Sequence, residues 1–167
     1  MKRPKAPFQK LPPRYVVVDI GRQRLALIVE GVLMIDDAVS TAVKGIGGEQ
    51  GSEKTPPGWH RVHGKIGAGE PEGTVFVGRE PTGEIWHGEP GAADLVLTRI
   101  LTLDGLEEGI NRGAGVDSLG RFIYVHGTNH ESLLGTPSSH GCVRMGSKAV
   151  TALFDCVRVG DCVAIVG

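Results

Sequence analysis

Short runs of alternating apolar and polar residues recur along the chain, and this period of two is typical of β-strands. RYVVVDI (14–20) and RLALIVE (24–30) are separated only by GRQ, which predicts a β-hairpin. KGIGGEQGSEKTPPG (44–58) is rich in glycine and proline and predicts a long loop. Further strands are predicted in the regions 32–43, 59–67, 73–79, 95–103, 121–127 and, after a turn, 158–166. In the region 95–103, the leucines fall on one face of the predicted strand.

One segment, SKAVTALFDCV (147–157), has helical periodicity instead. Its apolar residues recur at intervals i, i+3, i+4 and i+7 and share one helix face: Val150, Leu153, Phe154 and Val157. Ser147 is the predicted N-cap. The chain is therefore predicted to be mainly β, a sandwich or open barrel, with one short α-helix.

Composition and charge limit the classes of protein that the chain can represent. With 167 residues, 40% of them hydrophobic, the chain is long enough for one domain with its own core. Residues 1–13 are basic and proline-rich and are interpreted as an N-terminal extension, and residues 14–167 as the folded domain. The formal net charge is −1, so nucleic acid is not expected as a partner.

The basic N-terminus resembles only the charged part of a secretory signal. The apolar run that follows it, in YVVVDIGRQR, is short and interrupted by Asp19, whereas a signal peptide needs about 7–15 apolar residues and a cleavage site. No segment has the roughly 20 apolar residues of a membrane span, so no membrane partner is expected. We therefore expect a cytoplasmic protein, or a periplasmic one if an export signal has been removed.

The three cysteines differ in their surroundings. Their odd number and the lack of a CxxC pair do not indicate a disulfide framework. Cys156 and Cys162 lie in apolar segments and are predicted to be core residues. Cys142 lies in TPSSHGCVRMG (136–146), between histidine and arginine, and this company indicates a nucleophile.

The residues around Cys142 alternate like those of a strand with one reactive face. If residues 140–145 are extended, the face that bears the cysteine consists of His140, Cys142 and Arg144. The upstream strand repeats this split, and its corresponding face consists of Phe122, Tyr124 and His126. Two such strands side by side would form the floor of a cleft.

A reactive cysteine needs a base, because a free thiol has a pKa near 8.5 and is mostly protonated at neutral pH. The backbone holds the His140 ring beside Cys142 and not over it, whereas His126 can reach across from another strand. His126 is therefore the predicted general base, and His140 a wall of the cleft or a substrate contact.

Two other classes of function stay open at this point. His126, His140 and Cys142 are all possible zinc ligands, but no acidic partner and no HExxH pattern accompany them. No metal or other cofactor is therefore predicted. A catalytically inactive binding module is the second alternative, and the presence of the cysteine, histidines and glycines argues against it.

HGT at 126–128, followed by SHGCVRM at 139–145, resembles the signature of the L,D-transpeptidase (YkuD-type) catalytic domain. TPPG at 55–58, LTRIL at 97–101 and the closing VGDCVAIV are also similar to elements of this family. The resemblance thus extends from about residue 14 to the end. It departs at His60, where the family commonly has an aromatic residue.

The resemblance implies a mainly β fold and a thiol acyl transfer on peptidoglycan. Cys142 would attack the carbonyl of the third, L-configured centre of a stem tetrapeptide, and the terminal D-alanine would leave with a proton from His126. Carbapenem-type β-lactams would inhibit such an enzyme. With no export signal seen, we favour hydrolysis of muropeptides by an L,D-carboxypeptidase of murein recycling. The alternative is an exported transpeptidase that makes peptidoglycan cross-links.

The resemblance also implies roles for the neighbours of these two residues. The Gly127 carbonyl would orient the His126 ring, and the backbone N–H groups of Gly141 and Cys142 would hold the oxyanion. Because Arg144 lies on the reactive face, we expect it to bind a substrate carboxylate or to steady the cleft, possibilities that stand beside a simple salt bridge. The other expected substrate contacts are Ser139, His140, Tyr124 and His60.

Overall fold

The computed structural model describes residues 9–167. The predicted extension over residues 1–13 therefore lies largely outside the described residues. The described chain is mainly β with a single α-helix late in the sequence, and this confirms the predicted fold class.

The elements follow one another closely along the chain. The strands are β1 (Arg14–Asp19), β2 (Arg24–Val29), β3 (Val32–Ala38), β4 (Gly58–Ile66), β5 (Thr74–Val77), β6 (Glu80–Ile85), β7 (Val96–Gly105), β8 (Tyr124–Thr128), β9 (Val143–Met145) and β10 (Cys162–Val166). A 3₁₀ turn spans Glu131–Leu133, and the α-helix α1 spans Ser147–Cys156. Within residues 9–167, no helix combines the length and the hydropathy needed to cross a bilayer.

The strands form one mixed sheet that branches at β7. Its order is β3-β2-β1-β10-β4-β7-β5-β6, and β8 pairs with both β7 and β9. The β1–β2 hairpin is antiparallel, as predicted. β10 lies between β1 and β4, parallel to the first and antiparallel to the second. β8 and β9 are parallel, and this pair carries the residues of the predicted site.

A single apolar cluster joins the two halves of the sheet. Leu27 of β2, Leu103 of β7 and Val125 of β8 belong to it, together with Leu153 of α1. The helix packs on β7 and β8 with the apolar face that its periodicity predicts. The sheet therefore encloses its own core, and α1 supports the strands that carry the site.

The N-terminus of α1 is capped differently from the prediction. Gly146, not Ser147, is the N-cap, and it has no side chain to offer. The Ser147 N–H instead donates to Glu131 Oε1 at 2.8 Å, and the Ser147 hydroxyl bonds with Thr98 Oγ1 at 2.6 Å. A carboxylate at this position satisfies a free N–H and complements the positive end of the helix dipole.

Two strands differ from the sequence pattern. The predicted strand 121–127 begins only at Tyr124, because Phe122 has a φ of +57° and belongs to a turn. The pattern does not predict β6 at all. Every residue of β6 is exposed, so no apolar alternation marks it.

Candidate active site

Cys142 lies in a tight loop that leads into β9. The loop is not extended as predicted, because β9 contains only Val143–Met145 and Gly141 has a φ of +136°. Ser139 Oγ donates to the Cys142 carbonyl at 2.6 Å and accepts the Gly141 N–H at 3.3 Å. Ser139 is buried and its hydroxyl shapes the loop, as a hydrogen-bonding neighbour of the site would, while its contact with substrate stays a prediction.

Thr55 holds the same loop from the opposite side. Its Oγ1 donates to the Gly141 carbonyl at 2.9 Å and accepts the Ala42 N–H at 3.0 Å. A Cβ on Gly141 would lie 3.2 Å from Ile123 Cδ1, and the positive φ also favours glycine. Thr55 was not predicted as a site residue, although it begins the TPPG segment that resembles a family element.

The sulfur of Cys142 is bonded to two backbone groups. The Tyr124 N–H donates to Sγ at 3.3 Å, and the thiol donates to the Phe122 carbonyl at 3.4 Å. Burial raises the pKa of Cys142 to about 11, although the Tyr124 N–H and the Arg121 charge act in the opposite direction. The resting group is therefore a neutral thiol at neutral pH, and it needs a base to become a nucleophile.

His126 has the tautomer that a base requires. Its Nδ1 lies 2.7 Å from the Gly127 carbonyl oxygen, which is the contact predicted for Gly127. A carbonyl can only accept, so Nδ1 carries the proton and Nε2 keeps a free lone pair. His126 is 3% exposed, and this burial lowers its pKa. The ring is therefore neutral and able to accept a proton at neutral pH.

The parallel β8–β9 pair brings the segments of His126 and Cys142 side by side. The register pairs His126 with Arg144, and Cys142 immediately precedes β9. The Tyr124 N–H, two residues before His126, is bonded to the sulfur. Within the described residues, both hydrogen bonds of the sulfur are to backbone groups. Catalytic hydrogen bonds often tighten only when substrate binds, and the bond between Cys142 and His126 stays a prediction.

Arg144 forms a buried ion pair. Its side chain is 2% exposed, and its Nη1 lies 2.8 Å from Asp94 Oδ1. Its Nη2 donates to Ser138 Oγ at 2.6 Å. The salt bridge that was the simple alternative is therefore present, and the roles of Arg144 in binding a substrate carboxylate or steadying the cleft stay predictions. No motif in the sequence marks Asp94 as the partner.

Asp94 belongs to an irregular segment, residues 89–95, which we call the strap. Asn129 Nδ2 donates to the Ala93 carbonyl at 2.8 Å, and the Asn129 side-chain oxygen accepts the Leu95 N–H at 2.9 Å. His130 Nε2 donates to the Gly91 carbonyl at 3.0 Å. Side chains that follow the HGT motif thus fasten the strap beside the ion pair.

His60 does not reach the cleft, and its predicted contact with substrate is wrong. It is fully buried in β4. Its Nε2 bonds with Ser118 Oγ at 2.9 Å, and its Nδ1 bonds with the Gly58 carbonyl at 3.1 Å. Burial lowers its pKa to about 4, so the ring is neutral at neutral pH. His60 is a structural residue of the core.

His140 and Tyr124 lie nearer to the surface. His140 is exposed and lines a cavity of about 190 Å³, whose other lining residues are Gln50, Gly51, Glu53, Gly120, Arg121, Phe122 and Ile123. Tyr124 is half-buried, and burial raises its pKa. Their contacts with substrate stay predictions.

The predicted oxyanion donors are the backbone N–H groups of Gly141 and Cys142. In this structure, the Gly141 N–H is directed to Ser139 Oγ at 3.3 Å, near the long limit for such a bond. A developing oxyanion would offer it a stronger acceptor. The assignment stays a prediction.

The zinc alternative has no geometric support in the described part of the chain. Within residues 9–167, no three His, Cys, Asp or Glu side chains are placed to share a metal ion. His126 is buried with Nδ1 on a backbone carbonyl, whereas His140 is exposed.

A sequence profile of the L,D-transpeptidase catalytic domain, the YkuD family, matches residues 13–165. The chain belongs to this family. In this L,D-transpeptidase family member, the HGT and SHGCVRM segments form β8 and the loop into β9. No curated protein sequence gives a significant match.

Solved L,D-transpeptidases share the fold of this chain. It is similar to the enzyme from Mycobacterium smegmatis (20% identity, TM-score 0.55), to an L,D-transpeptidase in complex with imipenem (19%, 0.57) and to L,D-transpeptidase 3 from Mycobacterium tuberculosis with a faropenem-derived adduct (16%, 0.57). The matches cover 93%, 92% and 93% of this chain, and 59%, 59% and 61% of those chains. The chain therefore spans about three fifths of the length of these solved proteins.

Proposed function

We propose that this L,D-transpeptidase family member is a cysteine acyltransferase that cleaves peptidoglycan stem tetrapeptides. One observation carries the proposal. Cys142 immediately precedes β9, the parallel partner of the strand that carries His126, its sulfur contacts the Tyr124 N–H of that strand, and the Gly127 carbonyl fixes the His126 tautomer with Nε2 free. A neutral thiol beside a neutral imidazole is the pair that general-base activation of a nucleophile requires.

In the first half-reaction, His126 Nε2 takes the proton of Cys142 as the sulfur attacks the carbonyl of the third, L-configured residue. The C–N bond to the terminal D-alanine breaks, and the departing amine receives the proton from His126. A thioester remains on the enzyme. Donation from the Gly141 and Cys142 N–H groups would stabilise the oxyanion, by about 3–4 kcal/mol for one good donor.

In the second half-reaction, we propose that water resolves the thioester, which makes the enzyme an L,D-carboxypeptidase. His126 takes a proton from the water, the hydroxyl bonds to the acyl carbon, and the sulfur leaves and regains a proton. The reason for this choice is the location proposed below, since free muropeptide fragments in the cytoplasm present no polymer strand to cross-link.

The test is the release of D-alanine from a purified muropeptide tetrapeptide. We expect a tripeptide and free D-alanine, with the activity lost in Cys142→Ala and reduced about 10²–10⁴-fold in His126→Gln. Cys156→Ala is the matched control, because Cys156 is exposed at the end of α1, and its predicted place in the core is wrong. Activity that survives Cys142→Ala would refute the thioester route and favour a non-catalytic muropeptide-binding module or another nucleophile.

The same assay separates hydrolysis from cross-linking. A second tetrapeptide at high concentration provides amine acceptors, and mass spectrometry distinguishes the tripeptide from a cross-linked dimer. Cross-linked product without hydrolysis would support the alternative function of a transpeptidase.

Inhibition by carbapenems is part of the proposal, because related solved proteins carry imipenem or a faropenem-derived adduct. We expect a carbapenem to acylate Cys142, with a mass increase equal to the intact drug. Cys142→Ala should show no such adduct, whereas Cys156→Ala should.

We also propose that the protein acts on recycled muropeptides in the cytoplasm. The apolar run after the basic N-terminal segment is the buried strand β1 and belongs to the folded sheet. Fractionation of cells that express the native gene tests this. Recovery from the periplasm would favour the cross-linking alternative.

A further inference from the structure

Arg121 lies beside the loop of residues 139–142 that carries Cys142, which we call the nucleophile loop. It has no part in the mechanism above. A Cβ placed on Gly141, the residue bonded to Cys142, would be 3.9 Å from Arg121 Nη2. The Arg121 N–H donates to the Asp117 carbonyl at 2.8 Å, so the turn before β8 fixes the position of the arginine. The guanidinium therefore faces the loop that presents the sulfur.

The guanidinium is held by a set of neutral acceptors. All of them lie in one loop, residues 47–54, and they are the Gly47 carbonyl at 3.3 Å, the Gly48 carbonyl at 3.1 Å, Ser52 Oγ at 3.5 Å and the Lys54 carbonyl at 2.8 Å. These bonds fix the direction of the side chain. They do not neutralise its charge, because none of the acceptors is ionised.

Arg121 differs from Arg144 in having no anionic partner. The Arg144 guanidinium forms an ion pair with Asp94 at 2.8 Å. Within residues 9–167, no carboxylate lies within ion-pair distance of Arg121. Arg121 therefore places an unpaired positive charge beside the loop that carries Cys142.

Other titratable and charged groups lie around Arg121 and the nucleophile loop. They are Glu49, Asp94, Tyr124, His126, His140 and Arg144. Burial lowers the pKa of Arg121, and the charges of Cys142 and Glu49 act in the opposite direction. Arginine remains protonated throughout the range in which proteins are folded.

We propose that Arg121 is a positioning residue: it fastens the 47–54 loop to the turn before β8 and supplies the fixed positive charge that stabilises the Cys142 thiolate. The proposal rests on the function proposed above, in which the sulfur loses its proton to His126. An opposite charge within about 4–6 Å favours an ionised group by one or more pKa units, and less where water reaches the pair.

The test measures the thiolate directly, without peptidoglycan. Purified full-length protein is treated with iodoacetamide between pH 7 and 9, and the alkylation of each cysteine is followed by mass spectrometry of its peptide. The rate for Cys142 reports its thiolate fraction. We expect Arg121→Met to lower this rate about three- to tenfold, the effect of a shift of about half to one pKa unit.

Arg121→Lys separates charge from fastening, because it keeps the charge and loses most of the bonds to the 47–54 loop. Its Cys142 alkylation rate should stay within about twofold of the wild type. Cys156 in the same samples is the internal control and should react equally in all variants. Arg24→Gln removes an exposed arginine paired with Asp36 and is the matched control for charge.

Two outcomes would overturn the proposal. A wild-type rate in Arg121→Met would mean that the charge does not reach the sulfur, and equal losses in the methionine and lysine variants would mean that only the fastening matters. If Arg121→Met does not fold by circular dichroism, Arg121→Gln replaces it. Failure of the proposed function gives a different result: D-alanine release would persist in Cys142→Ala.

Discussion

The hydroxyl of Thr55 donates to the carbonyl of Gly141 at 2.9 Å and joins two residues that are 86 positions apart in the sequence. Gly141 immediately precedes Cys142, so this bond fixes the peptide plane that orients the nucleophile. The same hydroxyl accepts the Ala42 N–H at 3.0 Å. Thr55 therefore links Ala42, just before the long loop 44–58, to Gly141 in the nucleophile loop.

Replacing Thr55 by valine should reduce both stability and activity. The change keeps the shape of the side chain but leaves the Gly141 carbonyl and the Ala42 N–H without this partner, at a cost of about 1–3 kcal/mol. Displacement of Cys142 should lower kcat/KM about ten- to a hundredfold. Urea unfolding and D-alanine release measure the two effects. Thr55→Ser keeps the hydroxyl and is the control, and equal behaviour of both variants would contradict the prediction.

The activity should persist into mildly acidic solution. Burial lowers the pKa of His126 below its usual value of 6.5, so the unprotonated base remains available as the pH falls through 6.5. The acid limb of kcat/KM for D-alanine release should therefore lie below pH 6.5. His87→Gln changes an exposed histidine and should leave the limb in place. A limb at or above pH 6.5 would show that another group controls the reaction.

His60 should make the fold sensitive to acid. The folded state keeps His60 neutral down to a pKa of about 4, whereas the unfolded chain protonates it near 6.5. The unfolded state binds more protons between these values, so the free energy of unfolding falls as the pH falls through this window. The expected loss between pH 7.5 and 5 is about 2 kcal/mol from this residue.

Urea unfolding at several pH values measures this loss. His60→Gln should flatten the dependence on pH, whatever its effect on stability at neutral pH. His63→Gln is the matched control, because His63 lies on the same strand but is exposed. If the slopes of the wild type and His60→Gln agree, the acid sensitivity has another origin.

Removing the charge of Asp94 should loosen the strap. Asp94→Asn leaves the buried Arg144 guanidinium without an anionic partner, and we expect a loss of about 1–2 kcal/mol, because the Asp94 side chain is still 35% exposed. Hydrogen exchange in residues 89–95 should become faster. Asp36→Asn breaks the exposed pair with Arg24 and should change neither quantity. Unchanged exchange in Asp94→Asn would show that Asn129 and His130 suffice to hold the strap.

The elements with strong apolar periodicity could be predicted, and those without it could not. Helix α1 and the β1–β2 hairpin bury the faces that their patterns indicate. β6 is exposed throughout and carries no pattern. In β7, the pairing with β8 shifts between Leu97 and Ile100, and Thr98 has a φ of +73°. The shift adds two residues to β7, so Leu97 and Leu101 still pair with Gly127 and Val125, which share a face, and the predicted leucine face is kept.

The chemistry of the site could be predicted better than its supports. The predicted contact of His126 with the Gly127 carbonyl is present, and the segment of Cys142 leads into β9, which pairs with β8. The supports are contacts between segments far apart in the sequence, such as Arg144 with Asp94. Ordinary residue types make these contacts, and nothing in a single sequence marks their pairing. His60 shows the converse, since a histidine near a family motif is a buried core residue.

The place of β10 between β1 and β4 sets an order for assembly. The β1–β3 meander can form early from local contacts. It joins the rest of the sheet only through β10, which is the last strand in the sequence. During synthesis, the open edge of β1 must therefore wait while more than a hundred residues emerge. A nascent chain in that state exposes an unpaired apolar strand to other nascent chains. Chaperones that prevent aggregation would therefore matter most in this interval.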